Sequence, residues 1–400
     1  MQKYIFKIMF VRSILDIIRK RINEPISLIQ TLLGPRQVGK TTLVKQLIET
    51  VDMPFLYISA DNIANADSIW LIQQWEIARM KEDTEKGFLL IIDEIQKVRN
   101  WSETIKQLWD EDRFKNRNIK VVILGSAGLL IQQGLTESLT GRFEIINISH
   151  WSYAEVNAAF GLTADEFIWF GGYPGAINFI SEENRFKDYV RNALIETTIS
   201  KDILMLSRVD KPALLKRVFE LGTFYSSQII SYTKLLGQLQ DAGNTTTLSH
   251  YLSLLDHAGV ICGIEKIYQE PIRVKSSSPK FQVKNTAYIS SMLDYSLPEI
   301  KSNPESWGRI VESAIGAHLI NFSIDGNYQV HYWKERNLEV DFVLRKGTKI
   351  IGIEVKSGAA KPTSGMREFK NKYKDAKVLL VGTSGIPYHD FLNINPVSLF

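Results

Sequence analysis

The chain has 400 residues, 44% of them hydrophobic and 23% charged, which is ordinary for globular protein and excludes a disordered class. A single hydrophobic core stops growing near about 250–300 residues, so roughly two to four domains are expected, and no apolar run reaches the ~18 residues of a membrane span. The net charge of +4 is compatible with nucleic acid but lacks the strong basic bias that by itself marks a binder.

The first stretch, MQKYIFKIMFVRSILDIIRKRI, reads as an amphipathic helix. Lys3, Lys7 and Arg12 interrupt its apolar residues and no small-residue cleavage site follows, which argues against a signal peptide. Next, ISLIQTLLGPRQVGKTTLVKQLIE runs from an apolar strand through Gly34-x-x-x-x-Gly39-Lys40-Thr41 into an amphipathic helix, the context a phosphate-binding loop requires. Gly34 and Gly39 let the backbone curl so that its N–H groups face a phosphate, Lys40 reaches the β- and γ-phosphates, and the Thr41 hydroxyl ligates Mg2+. Thr42 completes the expected nucleotide-binding set.

The strand Phe88 to Ile92 then delivers Asp93 and Glu94 at its carboxyl end, where ligands bind in open α/β sheets. Asp93 is expected to hold the magnesium and Glu94 to polarise the attacking water as general base. A further strand, Val121 to Leu124, ends in Gly125-Ser126, which places Ser126 to sense the γ-phosphate or hold the water. Arg142, behind Gly141, is a candidate arginine finger completing a neighbouring copy's site, against the reading of a solvated loop arginine.

These residues resemble a family. Gly-Pro-Arg-Gln-x-Gly-Lys-Thr-Thr from Gly34 to Thr42, Asp93-Glu94-Ile95-Gln96, Gly125-Ser126, Leu139-Thr140-Gly141-Arg142 and Gly171-Gly172-Tyr173-Pro174 follow in the order of a prokaryotic AAA+-like ATPase family whose members carry a C-terminal nuclease-like domain. The resemblance covers nearly the whole chain. It implies ATP binding and hydrolysis and does not supply a biological task.

After GGYPGAINF the chain reads as helices, with Tyr189, Val190, Leu194 and Ile195 at helical spacing, where AAA+-like proteins carry a small helical lid. Asp202 and Arg208 read as members of solvated faces. From Pro212 a two-helix turn and two strands predict a winged helix-turn-helix, with Leu248, Tyr251, Leu252 and Leu255 inward on its second helix. That helix presents Ser249, His250, Ser253 and His257 outward, without Arg or Lys for DNA contacts, whereas Arg273, Lys275, Lys280 and Lys284 fall in the wing, placed to grip phosphate without sequence preference. Asn285 and Ala287 stand where related proteins commonly have Asp and Gly. Cys262, the one cysteine, excludes an internal disulfide framework and reads as a buried apolar thiol in a reducing cytosol.

Beyond a linker at SNPES, the order helix, three strands, helix, strand resembles the core of PD-(D/E)XK nucleases. Glu312 lies in the first helix, Asp341 on the second strand, and Glu354-Val355-Lys356 on the third. Asp341 and Glu354 are hard oxygen ligands for Mg2+ with Glu312 adding or orienting one, and Lys356, two residues from Glu354 and on the same strand face, positions or deprotonates a water. The competing reading is a structural ion-pair cluster.

The expected fold is therefore α/β: an AAA+-like P-loop NTPase domain at 1–160, a helical lid at 161–210, a winged helix-turn-helix at 211–297 and a PD-(D/E)XK nuclease-like domain at 298–400. The expected protein is a cytoplasmic, membrane-free ATPase using ATP and Mg2+. It acts on or binds DNA, with a nuclease-like tail that cleaves phosphodiesters, and it assembles as a homo-oligomer through Arg142. The alternative is a nucleotide-switched binding protein whose inactive tail recognises DNA or a protein partner.

Overall fold

A computed structural model describes residues 10–25, 28–63, 65–125, 135, 137–204, 209–239, 243–268, 278–356, 358 and 364–400. The chain folds as two compact units, Met1–Ile148 and Ser149–Phe400.

The first unit is built on five parallel strands in the order β2-β3-β4-β1-β5: β1 Ile29–Leu33, β2 Phe55–Ser59, β3 Phe88–Asp93, β4 Ile119–Gly125 and β5 Phe143–Asn147. Strand β3 is apolar without alternation because both of its faces are covered, as a parallel sheet requires. Leu90 and Ile92 pack with Leu71 and Trp75 of helix α3 (Ser68–Met80) and Ile105 and Leu108 of α4 (Trp101–Phe114). Leu89 and Ile91 face the other side, with Leu15 and Ile18 of α1 (Ile14–Ile22) and Leu43 and Leu47 of α2 (Lys40–Ile48). The amphipathic reading of the first stretch thus holds for α1, whose Leu15, Ile18 and Ile22 are buried. Strand β4 lies between β1 and β3 and extends the expected Val121–Leu124 at both ends.

In the second unit a mixed six-stranded sheet runs β11-β10-β9-β8-β6-β7. Helix α5 (Pro212–Phe224) and α6 (Thr245–His257) precede the antiparallel pair β6 (Ile261–Lys266) and β7 (Lys280–Val283). Helix α7 (Pro304–Asn321), the meander β8 (Gln329–Glu335), β9 (Leu338–Lys346) and β10 (Lys349–Lys356), helix α8 (Ser364–Lys372) and β11 (Lys377–Gly382), parallel to β10, follow in the expected element order. Leu248, Tyr251, Leu252 and Leu255 are buried on α6, while Ser249, His250, Ser253 and His257 are exposed. The segment expected as a lid folds within this unit, and Tyr189–Ile195 and Thr198–Ile203 are wound as π-helix.

The sheet corrects the reading of the wing. Strands β6 and β7 continue into the β8–β11 sheet, because Glu265 and Lys266 pair in parallel with His331 and Tyr332. Lys280 is 0% exposed, and Lys284 is largely buried with its ammonium on Asp256 O at 2.9 Å. Lys280 does not reach solvent to hold a phosphate, and the Lys284 ammonium is engaged by Asp256. Arg273, Lys275 and Arg208 lie outside the described residues, as does the Asp202 side chain. Asn285 is buried, and its Oδ1 accepts from the Gly172 and Ala287 N–H groups, which gives the Gly171-Gly172 turn a structural anchor.

Burial pushes the Cys262 thiol up to about 12, where almost no thiolate exists at neutral pH. Thiol alkylation of the native protein at pH 7.5 is therefore expected to be far slower than after denaturation, and equal rates would contradict its burial.

Candidate functional site

The loop between β1 and α2 closes tightly. A side chain at Gly34 would place its Cβ 2.1 Å from the Ile148 carbonyl oxygen, so only glycine fits that approach. Gly39 sits at φ +91°, the left-handed turn that feeds directly into α2. The α2 N-terminus has no side-chain cap and no acid in its own first turn. The Lys40 ammonium folds over this loop and donates to Gly34 O at 2.8 Å and Pro35 O at 2.7 Å.

Strand β3 brings the second half of the site. The Thr41 hydroxyl donates to Asp93 Oδ2 at 3.2 Å, joining residues 52 positions apart in the chain. The Tyr57 hydroxyl, from β2, donates to the same oxygen at 2.7 Å, and the Glu94 N–H donates to Asp93 Oδ1 at 2.9 Å. Glu94 itself adopts φ +54°, a left-handed conformation uncommon for a side-chain-bearing residue and found preferentially at functional positions. Its Oε2 accepts from Gln96 Nε2 at 2.5 Å. Burial raises the Glu94 carboxyl above the ordinary range, and the charges of Asp93 and Asp61 add to this while Lys40 and Arg36 oppose it.

The hydroxyl of Thr41 and the carboxylate of Asp93 are hard oxygen donors brought together at the loop mouth, a set that fits magnesium. Magnesium bound there would neutralise charge on the phosphates of a nucleotide. The loop N–H groups and Lys40 would bind those phosphates, and Glu94 would accept a proton from water.

Ser126 lies outside the described residues. The Arg142 guanidinium makes a bidentate pair with Asp110, Nε to Oδ1 at 2.7 Å and Nη2 to Oδ2 at 2.9 Å, at the side of Trp109. It is neither buried nor adrift: its side chain is 28% exposed and it is held in place. Thr42 is exposed on α2.

The acids of the tail also converge, around a cation that the sequence reading had placed elsewhere. The Lys280 ammonium donates to Glu312 Oε1 at 2.7 Å and to the Asp341 carbonyl at 3.1 Å, and stands 3.8 Å from both Asp341 Oδ1 and Glu339 Oε1. Lys356 pairs with Glu354 Oε1 at 3.0 Å, as their shared strand face predicts. Asp341 Oδ2 accepts the Val355 N–H at 2.8 Å. Burial opposes the Lys280 charge, but Glu312 and Asp341 outweigh it and hold the ammonium above its usual range. Burial pushes Glu312 and Glu354 up to about 7, against the pull of Lys280 on the first and Lys356 on the second.

This arrangement does not fit a divalent metal ion. Glu354 Oε2 is buried without a hydrogen-bond partner, but Glu312 Oε1 and Glu354 Oε1 are held by lysines, Asp341 Oδ2 by a backbone N–H, and no three acids or histidines among the described residues form a metal-holding group. The expected ligand set Glu312, Asp341 and Glu354 is brought together as an ion-pair cluster.

Residues 27–157 match the family described as AAA domain. Residues 162–299 and 307–399 match two domains of unknown function, DUF8612 and DUF4143. The chain thus carries an AAA+-like P-loop domain. No curated protein matches it. Among solved structures it is similar to the Thermotoga maritima RuvB Holliday junction branch migration motor, at 18% identity and TM-score 0.33, covering 62% of this chain and 85% of that one. A RuvB mutant gives 17% identity with the same coverage and TM-score. At that TM-score the likeness carries no argument about this chain. Among the described residues no helix is long and apolar enough to cross a membrane.

Tyr57 and Glu339 are not among the expected site residues, Lys280 is expected only as a phosphate-gripping residue of the wing, and Gln96 enters only as part of a motif. Tyr57 carried a weak signal: it lies two residues before Ser59, which pairs with Asp93 across the sheet, so it shares that strand face.

Proposed function

We propose that this protein binds and hydrolyses ATP at the β1–α2 loop. The observation that carries the proposal is the Thr41 to Asp93 hydrogen bond at 3.2 Å, which places a hydroxyl and a carboxylate suited to magnesium beside Lys40 and Glu94. Glu94 is the general base, Lys40 and the loop N–H groups bind the phosphates, and Ser126 senses the γ-phosphate or holds the water. Phosphate release from ATP by the purified protein tests it.

Because Glu94 acts as a base only when ionised, and burial raises its pKa, turnover is expected to fall as pH drops through a value above the ordinary glutamate range. A kcat profile flat down to the ordinary carboxylate range would contradict that role.

Arg142 completes the site of a neighbouring copy, so hydrolysis requires a homo-oligomer. In that role it must leave Asp110, an exchange open to a partly exposed pair whose net strength is at most about 1 kcal/mol. Arg142→Ala is expected to lower turnover at least about tenfold and to abolish its dependence on protein concentration. Normal turnover by that variant removes the finger.

The tail acids are matched with lysines, and this favours the reading in which the tail recognises DNA or a protein partner over the one in which it cuts DNA. Steep loss of DNA affinity with salt supports phosphate contacts, and a flat response supports a protein partner. Magnesium- or manganese-dependent cutting of linear, supercoiled or branched DNA, lost in Lys356→Ala, would overturn this reading.

A further inference from the structure

Four acids, Glu312, Glu339, Asp341 and Glu354, gather on the face shared by α7, β9 and β10, and with Asp341 and Glu354 buried and Glu312 and Glu339 partly so they need positive charge nearby. One source is local, since Lys356 lies two residues from Glu354 and its side chain is 40% exposed. The other is not. Lys280 comes from β7, outside the α7-β8-β9-β10-α8-β11 core, is 0% exposed, and reaches the acids from the far edge of the sheet order.

The strand is fixed so that this reach is unavoidable. Gln282, two residues on and on the same face, donates from Nε2 to the Ser313 carbonyl at 2.7 Å, next to Glu312 on α7. A side chain at Gly316, one turn further along α7, would meet Gln282 Oε1 at 2.3 Å, so α7 lies close against this strand. The Phe342 ring lies 4.7 Å from the Lys280 ammonium and covers it from β9. Lys280 thus has an acid, a backbone carbonyl and an aromatic ring around it, with no route for its charge to leave while β7 stays paired.

A divalent ion bound by Glu312 and Asp341 would need their oxygens at about 2.0–2.6 Å, and those oxygens already face an ammonium at 2.7 to 3.8 Å. Two cations cannot share that space without strong repulsion. We infer that Lys280 is the resident cation of this cluster and takes the place a divalent metal ion would hold, so that the nuclease-like core is closed to metal by a strand from outside it. The inference rests on the reading of the tail as a module that does not cut.

The test counts Mn2+ bound to the nucleotide-free full-length protein by electron paramagnetic resonance. Wild type and Asp341→Asn are expected to bind the same number, since Mn2+ held at the β1–α2 loop is common to both. Lys280→Met is expected to bind one more per chain, and Lys280→Met/Asp341→Asn to lose that gain. Wild type binding one more than Asp341→Asn would overturn the inference, as would a folded Lys280→Met that gains none. Should Lys280→Met fail to fold without metal, refolding in Mn2+ but not in Na+ supports the inference, refolding in neither counts against it, and the wild type comparison with Asp341→Asn still stands. The two claims fail separately: metal-dependent DNA cutting by wild type defeats the non-cutting tail, whereas a non-cutting wild type with no gain in Lys280→Met defeats only the role of Lys280.

Discussion

Glu94→Gln is expected to lower ATP turnover by about 10²- to 10⁴-fold while leaving nucleotide binding close to wild type. The change keeps the size and planarity of the side chain and removes its ability to take a proton. The phosphate-binding groups are elsewhere: Lys40 folds on the Gly34 and Pro35 carbonyls, and Thr41 is bonded to Asp93. Binding and chemistry therefore separate in this variant. Phosphate release and binding of a fluorescent ATP analogue, measured on one preparation, check it. Wild-type turnover in Glu94→Gln would assign the base to another residue, and loss of binding as well as turnover would mean that Glu94 shapes the loop.

The largest effect on stability is expected at Lys280. Lys280→Ala leaves Glu312 and Asp341 buried without their counter-charge and is expected to cost about 3–5 kcal/mol, the range for removing one partner of a buried ion pair. Lys356→Ala is the internal comparison. Its side chain is 40% exposed, so water screens much of its pairing with Glu354, and its loss is expected to cost about 1 kcal/mol or less. Adding Glu312→Gln to Lys280→Ala is expected to recover part of the loss by removing one of the orphaned charges. Denaturation followed by a probe in the second unit measures these differences, since two units need not unfold together. Equal effects of Lys280→Ala and Lys356→Ala would contradict the buried position of Lys280.

The difference between what was readable and what was not follows the range of the interactions. Gly34, Gly39, Lys40 and Thr41 lie within eight residues of one strand-loop-helix, and Asp93-Glu94 ends a strand whose five apolar residues admit no other placement than a covered sheet. Local pattern is enough there. The cluster of Glu312, Asp341, Glu354 and Lys356 was legible for a related reason, since each residue sits on an element with clear periodicity.

Lys280 was not. In KFQV, Lys280 and Gln282 alternate with Phe281 and Val283, the usual sign of a strand with one wet face. All four are buried because α7 closes over the polar side and supplies Glu312 and the Ser313 carbonyl as partners. That partnership spans 32 residues of chain and leaves no mark in the periodicity of either element. Tyr57 is a milder case, a strand tyrosine whose hydroxyl finds Asp93 only once β2 and β3 are paired. Arg142 shows the limit from the other side: its position in the chain points to a finger, and its salt bridge to Asp110 is a tertiary contact with no sequence signal.

The most direct test of the central claim is ATP hydrolysis and ATP binding by wild type and Lys40→Ala, each shown to be folded. A single site made by the β1–α2 loop and the end of β3 predicts phosphate release by wild type, and neither release nor tight binding by Lys40→Ala. A folded wild type that releases no phosphate in the presence of magnesium, or a Lys40→Ala protein that hydrolyses ATP as fast as wild type, would contradict it.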